Sequence, residues 1–448
     1  MPKLEKSDLH GHIRAALDAE ASTDVRTLVS DLHPADAANL LESIPPDQRH
    51  LVWDEVGLDV MGQILTEVSD GVRKDLVQAM DPQRLVSAVR ELDIDDIADL
   101  IPDLPEEVIA DVQLTVDQSA RQNLDAVLSY PEDTAGGLMN VDTVTVREQL
   151  SLAVVLRYLR LRGELPEYTD KLFVVDRDNK LRGILFASTL LTSDAARRVR
   201  ENMDDDPITF DPMDASEDVA AAFERYNLIS APVIDDTNTL LGRITIDDIV
   251  DVIRQEGEHT VMARAGVPED EDLFAPATRT TKGRALWLGV NLVTAILASW
   301  VIAQFEESIE KLVALAVMMP IVASMGGNAG TQTLTVVIRG IGVGTITGSN
   351  AFRVLKKEFL VGGLNGIIWA IAVAAVATFW YHDYGLGLIV AIAMIINVIA
   401  AAVAGVLIPV FLDRAGIDPA LASGVALTTI TDVVGFLAVL GLAALFLL

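Results

Sequence analysis

An aspartate lies near the middle of the last apolar stretch of the chain, ALASGVALTTITDVVGFLAVLGLAALFLL, Ala420–Leu448. This stretch is long enough to cross a bilayer as a helix. A charged side chain at the centre of a membrane helix costs about 3 kcal/mol on the insertion scale. Asp432, with Thr428, Thr429 and Thr431 beside it, is therefore predicted to face water, a cation or a partner group. The alternative is a protonated acid that is hydrogen-bonded inside a helix bundle.

A second apolar stretch, MPIVASMGGNAGTQT over Met319–Thr333, carries an unusual set of helix-weakening and polar residues. They are Pro320, Gly326, Gly327, Gly330, Asn328, Thr331 and Gln332. The proline and glycines predict a loosened helix, and backbone carbonyls freed at membrane depth are tolerated only inside protein or along a wet cavity. The alternative is a close helix–helix contact through small residues, with Asn328 bonding the neighbouring helix.

Acids at helical spacing recur outside the apolar stretches. Asp95 and Asp99 are four residues apart, so they share a helix face, and a divalent cation would relieve their repulsion. The alternative is a solvated face whose acids favour the positive end of the helix dipole. Asp248 and Asp251 crowd the start of a later helical pattern, which Glu256 follows.

The charge of the chain is concentrated in its first part. Residues 1–278 hold 57 of the 65 acids and 25 of the 34 bases. An acidic surface of this kind would repel phosphates, which argues against a nucleic-acid partner, and it would attract cations. A surface adapted to solubility or salt is the alternative. The absence of cysteine excludes disulfides and thiolate sites. The polar N-terminus lacks an apolar signal region, so these residues are expected in the cytoplasm.

Five membrane spans are predicted in the last part, which we take as a pore or anchor domain, 279–448. They lie near 285–305, 313–338, 358–380, 387–412 and 420–448. Basic residues precede the first span and fill the second–third and fourth–fifth connections. The positive-inside rule then predicts a cytoplasmic N-terminus and an external C-terminus.

The first part divides into three regions. Residues 1–130 form an acidic helical domain, because LHPADAANLLESIPPD from Leu32 repeats as LDIDDIADLIPDLPEE from Leu92. Residues 131–246 hold a second duplication, LFVVDRDNKLRGIL from Leu172 and APVIDDTNTLLGRI from Ala231. Residues 247–278 form a linking helix and a connector into the first span.

The second duplication resembles a pair of CBS motifs, which form one α/β domain. Such pairs often bind adenosine nucleotides through a Gly-x-x-Thr-x-x-Asp ending, whose acid holds the ribose. Gly242, Thr245 and Asp248 match this ending. Phe186 and Thr189 stand at the corresponding positions of the first copy, so its ribose acid is missing and ATP remains only a possible ligand.

The whole chain resembles the MgtE family of magnesium channels. The motifs GGNAGTQ (Gly326–Gln332) and TDVVG (Thr431–Gly435) carry the resemblance, together with the order of the domains. It implies a multidomain membrane protein, in which a superhelical α-domain, a CBS pair and a linking helix precede a five-helix bundle. It also implies a homodimer with one Mg²⁺ pore lined by the second and fifth spans.

The resemblance assigns Asp432 as the selectivity acid. Gly326 and Gly327 would supply backbone oxygens and Asn328 a side-chain contact, with Thr428 and Thr431 lining the same part of the pore. Mg²⁺ keeps several waters, so two carboxylates and carbonyls could hold the hydrated ion.

The resemblance also implies a pore that closes when cytoplasmic Mg²⁺ is high, through ions bound by acids of the soluble domains and the linking helix. The matching residues are Asp95, Asp99, Glu217, Asp248, Asp251 and Glu256, and Asp418 matches an acid at the cytoplasmic mouth. One departure concerns the linking helix, where His259 and Thr260 replace a further acid of the relatives.

We therefore predict a Mg²⁺ channel of the cell membrane that is gated by its own ion. The alternative is ion-coupled exchange of divalent cations. The sequence reveals no second intramembrane acid for a coupling ion, which disfavours that alternative. No nucleophile–base pair or phosphate-binding loop predicts an enzyme.

Overall fold

The computed structural model of the chain describes residues 11, 13, 22–30, 32–90, 92, 94–115, 118–268 and 271–447. They divide into two compact units. One comprises Met1–Gly257 with Asp270–Ala275, and the other comprises Glu258–Glu269 with Pro276–Leu448.

The N-terminal region is built of short helices. They are α1 (Ser22–Ser30), α2 (Pro34–Glu42), α3 (Pro46–Asp54), α4 (Leu58–Glu67), α5 (Asp70–Ala79), α6 (Pro82–Val89), α7 (Ile94–Leu100), α8 (Glu106–Thr115) and α9 (Gln118–Val127). Prolines begin α2, α3 and α6. The first backbone N–H groups of a helix have no hydrogen-bond partner within it, so the missing N–H of proline costs nothing there. Asp81 caps α6 by accepting from the backbone N–H of Gln83 at 2.9 Å. The predicted helical domain is confirmed.

A fully buried arginine holds part of this region together. Arg49 is 0% exposed and donates to the backbone oxygens of Leu41 at 2.9 Å and Ile44 at 3.2 Å. Its Nη1 also donates to a carboxylate oxygen of Asp272 at 2.9 Å. The connector residue Asp272 is thereby tied to the same unit as the helical region.

The tandem α/β region carries two small sheets. The elements are β1 (Thr145–Val146), α10 (Leu152–Arg162), β2 (Lys171–Val175), β3 (Leu181–Phe186), α11 (Ala187–Thr192), α12 (Ser216–Tyr226), β4 (Ser230–Ile234) and β5 (Leu240–Thr245). β1 pairs with β2 in parallel, and β2–β3 and β4–β5 are antiparallel hairpins. The predicted pair of strand–turn–strand copies is confirmed.

The two hairpins exchange equivalent hydrogen bonds. Asn179 and Asn238 adopt the left-handed backbone conformation in the two turns, with φ of 61° and 65°. Asn179 Nδ2 donates to the Leu240 oxygen at 2.9 Å, and Asn238 Nδ2 donates to the Leu181 oxygen at 2.7 Å. Each turn therefore stabilises the opposite hairpin, which joins the copies into one domain.

The remaining helices are α13 (Ile246–Ala265), α14 (Ala277–Ala303), α15 (Glu306–Lys311), α16 (Ala314–Gly342), α17 (Ala351–Tyr381), α18 (Tyr384–Arg414) and α19 (Pro419–Phe446). Five of them, α14 and α16 to α19, are long and apolar enough to cross a membrane, and we call them the first to fifth spans. The third span begins at Ala351 rather than near 358, because its charged first turns remain helical outside the apolar segment that hydropathy detects.

The fourth span is the most buried of the five. Leu386, Val390, Ala393 and Met394 on it are fully buried in a core shared with the second, third and fifth spans. The second and fifth spans each pack against the fourth span and also carry exposed residues.

Candidate functional site

The second and fifth spans meet beside the two motifs that the sequence singles out. A Cβ built on Gly327 would lie 3.9 Å from Thr431 Oγ1, an ordinary van der Waals distance. Asn328 and Asp432 are the next residues in sequence on the two helices. Gly327 and Thr431, two predicted pore residues, thus lie opposite each other where the two helices meet.

Asp432 is half-buried in the fifth span. It forms no hydrogen bond or ion pair with any residue that the structure describes. The neighbouring hydroxyls are engaged locally, since Thr428 donates to the Gly424 oxygen at 2.9 Å and Thr431 to the Thr428 oxygen at 3.0 Å. Its carboxylate oxygens therefore remain open to water or a cation.

The predicted pore residues differ in accessibility. Asn328 and Thr428 are exposed, and Gly327 is half-buried like Asp432. Gly326 is buried and Thr431 is 0% exposed. Both of these residues lie inside helix contacts of the chain, and their pore role stays a prediction.

A polar stripe runs along the second span. Its exposed residues follow a spacing of three to four and lie on one helix face: Ser324, Asn328, Thr331, Gln332, Thr335 and Arg339. A face of this composition is unfavourable against lipid hydrocarbon. The stripe therefore marks a surface for water or for another polar protein face.

The predicted loosening of the second span is wrong. The helix continues from Ala314 to Gly342 through Pro320 and all three glycines. The glycines permit close approach of neighbours instead: a Cβ on Gly330 would lie 2.8 Å from Leu427 Cδ1. Small residues at a helix–helix contact were the alternative interpretation, and the structure favours it for Gly326 and Gly330.

Asn397 on the fourth span was missed in the sequence. It is 0% exposed, and its Nδ2 donates to the backbone oxygen of Val322 on the second span at 2.9 Å. It contacts the glycine positions of both motifs, Gly326 and Gly435. A lone amide within the apolar run AIAMIINVIAAAVAG was the signal that could have revealed it.

Glu358, in the charged first turns of the third span, is a second carboxylate on a membrane helix, and its burial was not predicted from the sequence. It is 7% exposed on the third span and accepts from Thr333 Oγ1 at 3.2 Å. Its other oxygen lies 3.3 Å from Lys357 Nζ. Glu358 follows Lys356 and Lys357 in the sequence, so the sequence alone indicates that it belongs to a charged connection between spans.

Asp418 caps the fifth span and pairs with His259 of α13. Its Oδ1 accepts from the Ala420 backbone N–H at 2.8 Å, and its Oδ2 lies 2.9 Å from His259 Nε2. The carboxylate of Asp418, which was predicted to bind a cation, therefore already contacts an imidazole nitrogen.

The predicted regulatory acids of the soluble region are mostly exposed. Asp99, Glu217, Asp251 and Glu256 are exposed and Asp248 is half-buried. The side chain of Asp95 lies outside the described part of the structure. Within the described residues, no group of three or more acids or histidines converges in a way that could hold a metal ion.

The predicted nucleotide residues do come together. Thr245 is buried, and its Oγ1 donates to Asp248 Oδ2 at 3.0 Å. In the first copy, Phe186 occupies the matching position, with Lys171 Nζ 5.5 Å from its ring centroid. Only the second copy therefore presents a threonine–aspartate pair.

Family models match along most of the chain. Residues 32–133 match the MgtE intracellular N domain, residues 135–195 and 196–255 match CBS domains, and residues 319–442 match a divalent cation transporter model named MgtE. A magnesium transporter MgtE of Enterococcus faecalis is 30% identical over 321 residues, which cover 72% of this chain and 71% of the relative.

The chain belongs to the MgtE family.

A second MgtE magnesium transporter, from Thermus thermophilus, is 29% identical over 97% of this chain and 98% of its own length. Among solved structures, the cytosolic domain of the Mg²⁺ channel MgtE in complex with ATP is 28% identical, with a TM-score of 0.50. It covers 54% of this chain and 99% of that domain. The chain is thus a multi-pass membrane protein of a magnesium-transporter family, with its N-terminal domains in the cytoplasm.

Proposed function

We propose that this MgtE family member is a Mg²⁺ channel whose pore is completed by a second copy of the chain. The observation that carries the proposal is the half-buried carboxylate of Asp432, which has no partner among the described residues and lies next to the Gly327–Thr431 contact. Because an uncompensated charge at this depth costs about 3 kcal/mol or more, a passing cation is the simplest compensation.

A second copy accounts for the polar faces. The stripe that includes Asn328 and Gln332 is exposed in one protomer, and Asp432 supplies one carboxylate per chain. A homodimer would turn both stripes toward a shared axis and place two carboxylates around a hydrated ion. Mg²⁺ sheds water reluctantly, so a ring of two carboxylates, amides and hydroxyls that bind its waters suits it better than a tight cage.

The driving force requires no coupled ion. At a membrane potential of 100 mV, negative inside, and with equal concentrations on both sides, moving a divalent cation inward releases about 4.6 kcal/mol. This is twice the value for one charge. We also propose that Leu447 lies on the external side, because a chain that starts in the cytoplasm and crosses the membrane five times ends outside.

Regulation by cytoplasmic Mg²⁺ belongs to the same proposal. The acidic region carries exposed acids, including Asp99, Glu217 and Asp251, whose mutual repulsion a divalent cation would reduce. We propose that this screening favours a closed state. A cation would have to compete for Asp418 with His259, which already contacts its carboxylate.

ATP is proposed as a ligand of the second CBS copy alone. The solved relative is a complex with ATP. In this chain the Thr245–Asp248 pair presents a hydroxyl and a carboxylate of the kind that bonds a ribose. Binding of a single nucleotide per chain, abolished by Asp248→Ala, is the expected result.

Flux into liposomes tests the pore. Asp432→Asn keeps the size of the side chain and removes its charge, so Mg²⁺ flux should fall by at least about a hundredfold, the ratio that corresponds to about 2.7 kcal/mol. Asp413→Asn is the matched control, because Asp413 is an exposed acid at the end of the fourth span. Flux of Asp432→Asn equal to that of the control would refute the proposal.

Coupled exchange is the second candidate, and buried Glu358 is the observation that favours it. Lys357 and Thr333 balance this carboxylate within the protomer, which suits a structural acid better than an ion carrier. The channel proposal expects Glu358→Gln to leave the voltage dependence of Mg²⁺ flux unchanged. Loss of a measurable counter-flux of protons or Na⁺ in this variant would favour exchange instead.

A further inference from the structure

The amide of Asn397 lies in the middle of the most buried membrane helix. The side chain is 0% exposed, and its Nδ2 donates to the Val322 backbone oxygen at 2.9 Å. Its Oδ1 is buried and has no hydrogen-bond partner among the described residues. An amide in this position is costly, because each unpaired polar atom loses the hydrogen bonds of water.

The same side chain fills the space left by two glycines. A Cβ on Gly326 of the second span would lie 2.1 Å from Asn397 Nδ2, and a Cβ on Gly435 of the fifth span would lie 2.9 Å from the same atom. Both distances are shorter than real contacts allow. The amide therefore acts as a wedge that both helices must accommodate at fixed positions.

Packing alone does not call for an amide here. Leucine has the same branching as asparagine, with two methyl groups in place of the amide oxygen and nitrogen, and it would fill the space without an unpaired Oδ1. What leucine lacks is the donor to Val322. That hydrogen bond fixes the position of the second span along the axis of the fourth span. Packing of apolar side chains alone would specify this position only weakly.

We infer that Asn397 is a positioning residue for the ion pathway. Gly326 lies two residues before Asn328, and Gly435 lies three residues after Asp432, so each contact is within one helical turn of a pathway residue. By holding both turns, the amide sets the distance between Asn328 and Asp432. The inference rests on the proposed function, because it assigns to Asn397 the geometry of that pathway.

The test measures the flux of Mg²⁺ and Ca²⁺ per folded protein in liposomes for Asn397→Leu. The expected result is a fall in Mg²⁺ flux of about tenfold, equivalent to about 1.4 kcal/mol, with a changed ratio of Mg²⁺ to Ca²⁺ flux. Asn291→Leu is the matched control: Asn291 is exposed on the first span and donates within its own helix to the Trp287 oxygen at 3.0 Å. A merely structural role would lower the yield of folded protein and leave the flux ratio unchanged.

A double-mutant cycle provides a second measurement if Asn397→Leu does not fold. Gly326→Ala places a methyl group against the amide and should abolish flux, whereas Gly326→Ala combined with Asn397→Ala should recover flux to that of Asn397→Ala alone. Gly363→Ala is the control, since a Cβ on Gly363 meets nothing within 4 Å. If Gly326→Ala lowers flux equally in the wild type and in Asn397→Ala, the amide does not act as a wedge.

The outcomes separate this inference from the proposed function. Normal Mg²⁺ flux in Asp432→Asn would refute the proposed pathway. If Asp432→Asn is inactive but Asn397→Leu has the flux and the flux ratio of the wild type, only the inference on Asn397 is refuted.

Discussion

His259 Nε2 lies 2.9 Å from Asp418 Oδ2, and the other oxygen of the same carboxylate caps the fifth span. Both oxygens of Asp418 are therefore engaged within the chain itself. The two residues are 159 positions apart in the sequence, and the pair joins the second half of α13 to the start of a membrane helix. A cation that binds Asp418 has to compete with the imidazole.

Removal of that competitor should change gating. We expect His259→Ala to lower the cytoplasmic Mg²⁺ concentration that closes the channel, by about tenfold, because a hydrogen bond to a charged group contributes about 1.5 kcal/mol. The measurement is Mg²⁺ flux in liposomes at varied internal Mg²⁺. His382→Ala, on the connection after the third span, is the control. An unchanged closing concentration in His259→Ala contradicts the competition.

Exposed acids should contribute to closure individually and weakly. Glu217→Gln is expected to raise the closing Mg²⁺ concentration by about twofold to fivefold, since interactions of exposed charges amount to about 0.2–1 kcal/mol. Asp218→Asn is the matched control, because Asp218 is the next exposed acid on the same helix and points to another face. Equal shifts in the two variants would show that net charge, rather than position, sets the threshold.

Arg49 should be a major determinant of stability in its region. Arg49→Ala leaves the carboxylate of Asp272 without its 2.9 Å partner, and breaking a buried pair costs about 3–5 kcal/mol. Hydrogen exchange of the full-length protein should report faster opening of α2, α3 and the connector. Arg84→Ala is the control, because Arg84 pairs with the exposed Asp54 and should cost about 1 kcal/mol or less. Protection of α3 that is equal in both variants would contradict the expectation.

Acid stability of the CBS pair should depend on Asp235. The hydrogen bond from the Thr239 backbone N–H, at 2.8 Å, lowers the pKa of this carboxyl, helped by the bonds from Thr237. The folded pKa is below the unfolded value of about 3.9, so this stabilisation is complete above that pH and is lost as the pH falls through the folded pKa.

Asp235→Asn should therefore make the unfolding of this domain less dependent on pH below about 4. Hydrogen exchange of β4 and β5 in the full-length protein, at a series of acidic pH values, measures this dependence. Asp236→Asn, at the exposed neighbouring position, serves as the control. The same pH dependence in Asp235→Asn and the wild type would show that the turn does not couple to folding.

Much of the architecture followed from local sequence patterns. Apolar runs of membrane length predicted all five spans, and the repeated hairpin motifs predicted the CBS pair. Hydropathy is a local property, and for that reason it missed the charged first turns of the third span and the buried state of Glu358. An acid next to two lysines cannot be distinguished from a surface acid by composition.

The sequence by itself also determined which side chains could do chemistry: Asp432 and Asn328 are conspicuous because polar groups at membrane depth need a reason. Only the tertiary structure decided which of their neighbours line a surface and which pack inside. Gly326 and Thr431 are buried, Asn397 bonds Val322, and His259 meets Asp418. These contacts join residues far apart in the chain, and they depend on how whole helices pack, which no local pattern encodes.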